Sequence, residues 1–456
     1  MNANSQTDYL RALGARLLSE ANDLKRTAEA LASELGFEEG QINAVLAGES
    51  DVETARAVLQ AMAETYPVSL ADLWIDQDDT DQGVRVVSSD ESITSSRVFH
   101  RKNRDGGLSP YYEYRDTAMS RTAPFKPEWI KELRVVGDAD PANSDVAYNH
   151  GHLLHQGTFF LGPVNFYWQV NGERHCAELD TGDSNYITPF VPHSFASRDA
   201  DHLGIIIAVT YGGEVRRSLS DFGWLDAEQA DQLVADPRRP DDALVRLIAR
   251  HAADESLTKT AVIERLTDVG VERARAHALV SAGGATGEEL ESLATVLNVR
   301  WVDMTVSPLE RDEEVVIERR PTSPTRRYPN DDTPAYELTE LARVKHQPGL
   351  KGFDLTVLGD ANGDLQHSLH EYVYNYGQTT VNLEWGDAHT LAFMPGDSAY
   401  IRPMIRHRFS RLEGSDPGHL VVMRVPGGLS GSTLSEFSTF VPEGRGRVIA
   451  ETKRWF

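Results

Sequence analysis

Three side chains between Tyr148 and Phe195, in the run YNHGHLLHQGTFFLGPVNFYWQVNGERHCAELDTGDSNYITPFVPHSF, have the types and spacing of a metal site. His152 and Gln156 stand four residues apart on one candidate strand, and positions i and i+4 of a strand face the same side. His193 follows on a later strand, just past the turn Gly182-Asp183-Ser184 and Pro192. Two imidazoles and an oxygen donor on one side of an ion leave its other side open to substrate and oxygen, the arrangement of non-haem Fe(II) oxygenases. The oxygen donor is the neutral amide of Gln156, where a carboxylate is usual. His155 alternates to the opposite face and falls outside the set.

Composition bounds what can hold these residues. At 456 residues the length points to about three domains. Acidic residues (70) outnumber basic ones (45), a net charge of −25 that argues against a general binder of nucleic acid or anionic membrane. An anionic substrate is compatible, because a few buried basic groups outweigh a distant acidic surface. The single cysteine, Cys176, excludes an intramolecular disulfide and a Cys-rich zinc site. The opening MNANSQTDYLRALGARLL lacks a basic region followed by an apolar core, and no apolar run approaches the ~18 residues of a membrane helix. A cytoplasmic protein with no membrane partner is expected.

Residues 9–75 read as helices: LGARLLSEA and TAEALASELG space apolar residues by three and four, Gly36 and Gly48 punctuate, and TARAVLQAMAETY continues the pattern. The order resembles a helix-turn-helix, with Gln41-Ile42-Asn43 near the turn. Yet Glu20 to Asp72 carries 11 acidic and 3 basic residues, and a recognition helix needs basic flanks. A packing module without a nucleic-acid partner is the expectation. Residues 76–96 are polar and acidic, a linker or edge segment, and short strands run from Val98 to about Thr210. Helices return over residues 218–305, Arg311 to Asp331 is a charged, Pro-rich linker or crossing arm, and strands dominate from Tyr336 to Val448.

The halves repeat each other. LTKTAVIERLTDVG echoes LKRTAEALASELG, VNLEW (Val381 to Trp385) echoes VNFYW (Val164 to Trp168), and GDSAYIRPMIRHRFS echoes GDSNYITPFVPHSFA without a gap. HSLHE (His367 to Glu371) echoes HLLHQ. The expected fold is α+β, a tandem repeat of a helix-turn-helix-like module and a cupin β-barrel. Its expected divisions are 1–75, 76–215 (the catalytic barrel), 216–310 and 311–456 (a degenerate barrel). The second barrel spells His367, Glu371 and His407, the more ordinary iron ligands. The first has better company: Arg104 in RDGG, the cluster Tyr111 to Tyr114, Asn149, and Lys25 opening a helix, which are the donors wanted around a phosphate-like group. Thr258 stands where Lys25 falls in the repeat, and the second half has no matching Arg and Tyr cluster.

On the NxGH motif (Asn149 to His152), GDS, PHS (Pro192 to Ser194) and the lysine of the first helical module, the chain resembles the family of hydroxyethylphosphonate dioxygenase and methylphosphonate synthase. The likeness runs over nearly its whole length, and it is more distant to fosfomycin epoxidase. It implies mononuclear Fe(II), O2 and 2-hydroxyethylphosphonate, with no 2-oxoglutarate or other added reductant. It also implies His152 and His193 as metal ligands, and Lys25, Arg104, Tyr114 and Asn149 as contacts to the phosphonate or an oxygen intermediate. The Tyr114 match needs a two-residue gap after Arg104, so Tyr112 is its rival. Where the best-known dioxygenases of the family take a carboxylate ligand, this chain has Ile187. Gln156 then becomes the third ligand, as in the methylphosphonate synthase branch.

The expected reaction is cleavage of the carbon–carbon bond of 2-hydroxyethylphosphonate to hydroxymethylphosphonate and formate, preferred over methylphosphonate and carbonate on the GC-rich composition (37 Arg, 8 Lys). Packing around Gln156 by Leu153, Leu154, Phe159 and Ile187 is expected to choose between them. A homo-oligomer is expected, with Lys25 acting in its own chain or a neighbour's. The non-enzyme reading is a ligand-sensing regulator, against which the acidic helices stand.

Overall fold

The computed structural model describes residues 3–307, 309, 314–359 and 363–455. The first helices, Ala3–Asp23, Ala28–Leu35, Glu39–Leu46 and Val52–Thr65, close around one apolar stripe each, with Leu13, Leu17, Leu31, Ile42, Val58 and Met62 fully buried. Side-chain caps start them where the polar pattern changes: Thr27 accepts from the Ala30 N–H and Asp51 from the Thr54 N–H. A second group, Pro240–Asp254, Lys259–Asp268, Arg273–Ala282 and Gly287–Leu297, packs likewise around Ile248, Val262, Leu266 and Leu293. No helix among the described residues is long and apolar enough to cross a membrane.

Between and after the helices lie two pairs of antiparallel sheets, so the fold is mixed helix and sheet. The first pair joins a seven-stranded sheet to a three-stranded one (Glu173–Leu179, Val164–Val170, His193–Ser197). The large sheet runs in the order Val315–Glu318, Ser184–Ile187, His155–Leu161, Ile205–Tyr211, Phe125–Glu132, Leu108–Asp116, Arg97–Lys102. The second pair has the same order: Val84–Val87, Ser398–Ile401, His370–Asn375, Gly418–Val425, Lys351–Val357, Tyr336–Glu340, Thr325–Tyr328, with His389–Phe393, Val381–Trp385 and His407–Arg411 in the small sheet.

Each large sheet takes its first edge strand from the other half of the chain. Val84–Val87 pairs with Ser398–Ile401, and Val315–Glu318 pairs with Ser184–Ile187. Cuts at 76 and 311 therefore do not separate the two sheets, and residues 310–313, beside the second cut, lie outside the described residues. The acidic stretch after the first helices is tethered rather than free, since Asp78 pairs with Arg402 and Asp79 with Arg85. Outward faces of the two large sheets meet through Phe125, Trp129, Phe159 and Tyr186 on one side and Tyr372, Tyr374, Tyr400 and Met423 on the other.

The GDS repeats hold these crossing arms. The Asp183 carboxylate accepts from the Arg320 N–H (3.0 Å) and from Arg319 Nη1 (2.9 Å), and Asp397 accepts from the Ser89 N–H (2.8 Å). Gly182 has φ +93°, and a Cβ there would stand 2.1 Å from Arg320 Cδ, so the arm's approach requires glycine.

Strands end at Val425 rather than Val448. Gly431–Ser438 and Pro442–Ile449 are helices, the first capped by Ser430, and the tail returns to the first helical group. There the Asn22 amide donates to the Lys453 carbonyl (2.8 Å) and Arg454 to Asn43 Oδ1 (2.7 Å).

Candidate metal centre and substrate cavity

The strand carrying Gln156 begins at His155, so His152 lies in the preceding loop and not on the strand. Backbone contacts hold that loop in place. Gly151 has φ +71°, and a Cβ on it would meet the Phe190 backbone at 2.4 Å; beside it the Phe190 N–H donates to the His152 carbonyl (2.9 Å). Asn149 ties the loop to the strand of the other histidine: its Oδ1 accepts from the N–H groups of Gly151 and His193, both at 2.9 Å.

Both imidazoles present Nε2 to the same space. His152 Nδ1 donates to the Leu154 carbonyl (3.1 Å) and His193 Nδ1 to the Val191 carbonyl (2.8 Å), an assignment that follows from the carbonyl being acceptor only. Burial holds His193 near 4, with the charges of His152 and Arg101 adding to the fall, so at neutral pH its ring is uncharged. Gln156 Nε2 donates to Thr158 Oγ1 (3.0 Å), which turns Oε1 toward His152 Nε2 at 3.3 Å. A nitrogen lone pair and an amide oxygen, both acceptors, thus face each other across that gap. A cation between them resolves the repulsion, and the donor set of His152, Gln156 and His193 fits a first-row divalent metal. His193 Nε2 accepts from Asn149 Nδ2 at 3.0 Å. A metal there would displace that N–H and free it for a ligand oxygen.

The site opens on a cavity of about 260 Å³ lined by Arg101, Tyr112, Tyr114, Lys126, Glu128, Asn149, Leu154 and Thr210 beside His152, Gln156 and His193. Tyr112 and Tyr114 therefore both belong to it. The Tyr112 hydroxyl accepts from the Phe195 N–H (3.1 Å), while the Tyr114 ring stands edge-on to Phe99 at 4.9 Å. Burial pushes both phenols up, so they stay protonated donors. Burial also raises the Glu128 carboxyl.

Two expected contacts stand elsewhere. Arg104 is exposed and paired with Asp145, outside the cavity lining. The arginine in the cavity is Arg101, whose guanidinium lies over Tyr111 and Tyr112 at 5.2 and 5.0 Å. Arg101 lies on the strand Arg97–Lys102, whereas Arg104 lies beyond its end in the hairpin turn; the same hairpin carries a β-bulge, where Phe99 pairs with Tyr112 and His100 with Pro110, leaving Tyr111 as the extra residue. A bulge breaks strict alternation and re-aims its neighbours. Lys25 does not open a helix; it sits in a turn at φ +57° before the cap Thr27. Its Nζ donates to the Asp23 carbonyl (2.9 Å) and lies 4.3 Å from the Trp455 ring, away from its own chain's cavity. Its structural counterpart is Ser256 (φ +54°), two residues before the cap Thr258, rather than Thr258 itself.

Lys126, Glu128 and Thr210 were not singled out from the sequence. FKPEWIKE alternates Phe125, Pro127 and Trp129 with Lys126, Glu128 and Ile130, a period of two that puts the two charged residues on the same face. Among the residues expected around Gln156, Ile187 is its cross-strand partner and is buried, and Leu154 lines the cavity. Leu153 lines a different cavity and Phe159 packs between the large sheets. His155 does lie on the opposite face, with Nδ1 2.7 Å from the Tyr186 hydroxyl.

No family model matches the chain. It is 36% identical to the methylphosphonate synthase of Nitrosopumilus maritimus over 459 residues, 98% of this chain and 96% of that one. Among solved structures it resembles Streptomyces albus hydroxyethylphosphonate dioxygenase with 2-hydroxyethylphosphonate and Fe(II) bound, at 34% identity and TM-score 0.87 over 98% of this chain and 100% of that one. A further hydroxyethylphosphonate dioxygenase structure, at 21% identity and TM-score 0.74 over 96% of this chain and 99% of that one, shares the fold. The regulator reading finds no support among these relatives. A full-length relative at this identity decides the family: the chain belongs to that of methylphosphonate synthase and hydroxyethylphosphonate dioxygenase.

Proposed function

We propose that the chain is an Fe(II)- and O2-dependent enzyme that cleaves the carbon–carbon bond of 2-hydroxyethylphosphonate, with His152, Gln156 and His193 as iron ligands. In this reading each sheet pair is a cupin barrel and each helical group a helix-turn-helix-like module, with the N-terminal barrel catalytic. The observation that carries it is the convergence of two Nε2 atoms and one amide oxygen on a cavity that also holds Arg101 and Lys126. Iron would supply the one-electron chemistry that lets O2 react with a carbon–hydrogen bond.

The chain's own residues bind and orient. Gln156 is neutral, so the iron site keeps a formal +2 charge and attracts a phosphonate dianion more strongly than a carboxylate-ligated one would. Arg101 and Lys126 neutralise the remaining phosphonate charge, Tyr114 donates to it, and the N–H that Asn149 now gives to His193 turns to a phosphonate oxygen. Glu128, in the same cavity, receives the substrate hydroxyl. All four electrons that O2 takes come from the substrate, so no other reductant is consumed.

Two product pairs balance: hydroxymethylphosphonate with formate, and methylphosphonate with carbonate. They differ in whether the one-carbon phosphonate fragment gains a hydroxyl or a hydrogen from formate, which must then stay in place. Formate is an anion, and a cavity with a neutral ligand, two cations and the hydrocarbon of Ile187 against Gln156 retains it. Errors of about 1 Å in such positioning change rates by roughly a hundredfold. These contacts favour methylphosphonate, in line with the 36% identity to a methylphosphonate synthase. Similarity to the Streptomyces albus dioxygenase supports hydroxymethylphosphonate as the second reading. Phosphorus NMR after anaerobic Fe(II) loading and addition of O2 and 2-hydroxyethylphosphonate tests both. A new resonance that coincides with added methylphosphonate is expected, hydroxymethylphosphonate would reverse the product assignment, and unconsumed substrate would refute the enzyme reading.

Lys25 stands away from its own cavity, so in this reading it reaches iron only from a neighbouring chain of a homo-oligomer. Mixing inactive Lys25→Ala and Gln156→Ala chains should then restore part of the activity. No recovery after co-refolding would count against the shared site.

A further inference from the structure

The C-terminal half repeats the metal-binding geometry with a stronger donor set. His367 Nε2 lies 2.9 Å from Glu371 Oε2, and His407 Nε2 lies 2.9 Å from Glu371 Oε1. One donor atom from each of the three residues falls within 4.8 Å of the other two. Glu371 and His407 are buried, and His367 is partly open.

Donor accounting for neutral rings points to a shared cation. His367 Nδ1 faces the Leu369 carbonyl at 3.0 Å and His407 Nδ1 faces the Ile405 carbonyl at 2.9 Å, as their N-terminal counterparts face Leu154 and Val191. Each ring therefore lies between two acceptors, a backbone carbonyl and a carboxylate oxygen, while a neutral imidazole has one N–H. With Nδ1–H given to the carbonyl, a lone pair on Nε2 points at an anionic oxygen on both sides of Glu371. An ion held by both lone pairs and the carboxylate satisfies all three groups at once.

We propose that His367, Glu371 and His407 hold a second divalent first-row metal ion, at a closed site distinct from the N-terminal cavity. Two imidazoles and a carboxylate are common ligands for such ions, and the carboxylate lowers the formal site charge to +1, where Gln156 leaves +2. On its outer side His407 borders a cavity of about 240 Å³, lined also by Asp387 and by the ion pairs Asp364–Arg406 and Glu384–Arg408. Closure comes from Arg424. It sits opposite Glu371 in the strand register, where Thr210 sits opposite Gln156, and donates Nε to Glu371 Oε2 at 2.5 Å. A guanidinium on a ligand carboxylate fixes its orientation from the outer shell. The same guanidinium takes the place that Thr210 leaves open beside Gln156, so the second ion is structural and takes no phosphonate.

The test counts iron in full-length protein loaded anaerobically with Fe(II) and desalted. Expected are two irons per chain in the wild type, one in His193→Ala and one in Glu371→Ala. A single iron in the wild type that His193→Ala abolishes would overturn the proposal. Two irons persisting in Glu371→Ala would overturn it as well. A single iron kept by His193→Ala and lost in Glu371→Ala would uphold the second site and refute the N-terminal iron site instead. Should Glu371→Ala fail to fold, iron in His193→Ala decides alone, because that variant leaves the C-terminal residues intact.

Discussion

Replacing Arg101 by glutamine, beside Arg104 by alanine, tests the feature in which the structure departs most from linear expectation. Arg101 lines the cavity with its guanidinium over Tyr111 and Tyr112, whereas Arg104 points to solvent and pairs with Asp145. A hydrogen bond from a charged donor is worth about 1.5–3 kcal/mol. Loss of one such bond to the phosphonate should lower kcat/KM roughly 10- to 160-fold. Arg101 also loses its ring contacts, about 1 kcal/mol that should appear as lower stability rather than altered kinetics. Arg104→Ala removes a solvent-screened surface pair and should leave kcat/KM within about twofold. Initial rates of O2 uptake against 2-hydroxyethylphosphonate concentration separate the cases, and Arg101→Lys should recover part of the loss as a point charge without the planar fork. A tenfold loss in Arg104→Ala with unchanged kinetics in Arg101→Gln would refute the assignment.

Gln156→Ala should abolish turnover while His367→Ala retains it, read by the same O2-uptake assay; the opposite pattern would move the chemistry to the C-terminal half. Metal-free protein should lose stability as pH falls from about 6.5 toward 4, because burial holds His193 near 4 while the unfolded chain takes up its proton at ~6.5. The contribution is fully present above the unfolded value and amounts to about 3 kcal/mol, with His155 and His370, also held near 4 by burial, acting in the same direction. Urea midpoints that stay flat between pH 7.5 and 5 would contradict this. Asp183→Ala strands the Arg320 N–H of the crossing arm and removes one of the two partners of the half-exposed Arg319 guanidinium, and should cost on the order of 2 kcal/mol in an unfolding titration. A midpoint equal to the wild type's would show that the arm is held without it.

Helical spacing of three and four around Leu13, Leu17 and Leu31 and the duplicated GDS and HxxxQ/E motifs are local or repeated patterns. They were legible because each is set by residues near in sequence. The candidate donor set was legible from spacing, since His152 and Gln156 sit four apart and His193 follows a motif that occurs twice, although His152 lies in the loop before the strand and not on it. Chemistry of the donor set needed no coordinates, since an amide in place of a carboxylate is a matter of residue type. Tertiary structure alone decided the rest. Which arginine meets the cavity turned on where the strand ends: Arg101 is on Arg97–Lys102, and Arg104 is in the turn beyond it, paired with Asp145. The exchange of Val84–Val87 and Val315–Glu318 between the halves depends on partners more than 80 residues away, which no local period encodes. So does the purpose of GDS, whose aspartates hold the crossing arms. Alternation along a strand states which residues share a face; which face lines a cavity is decided only when distant strands close around it.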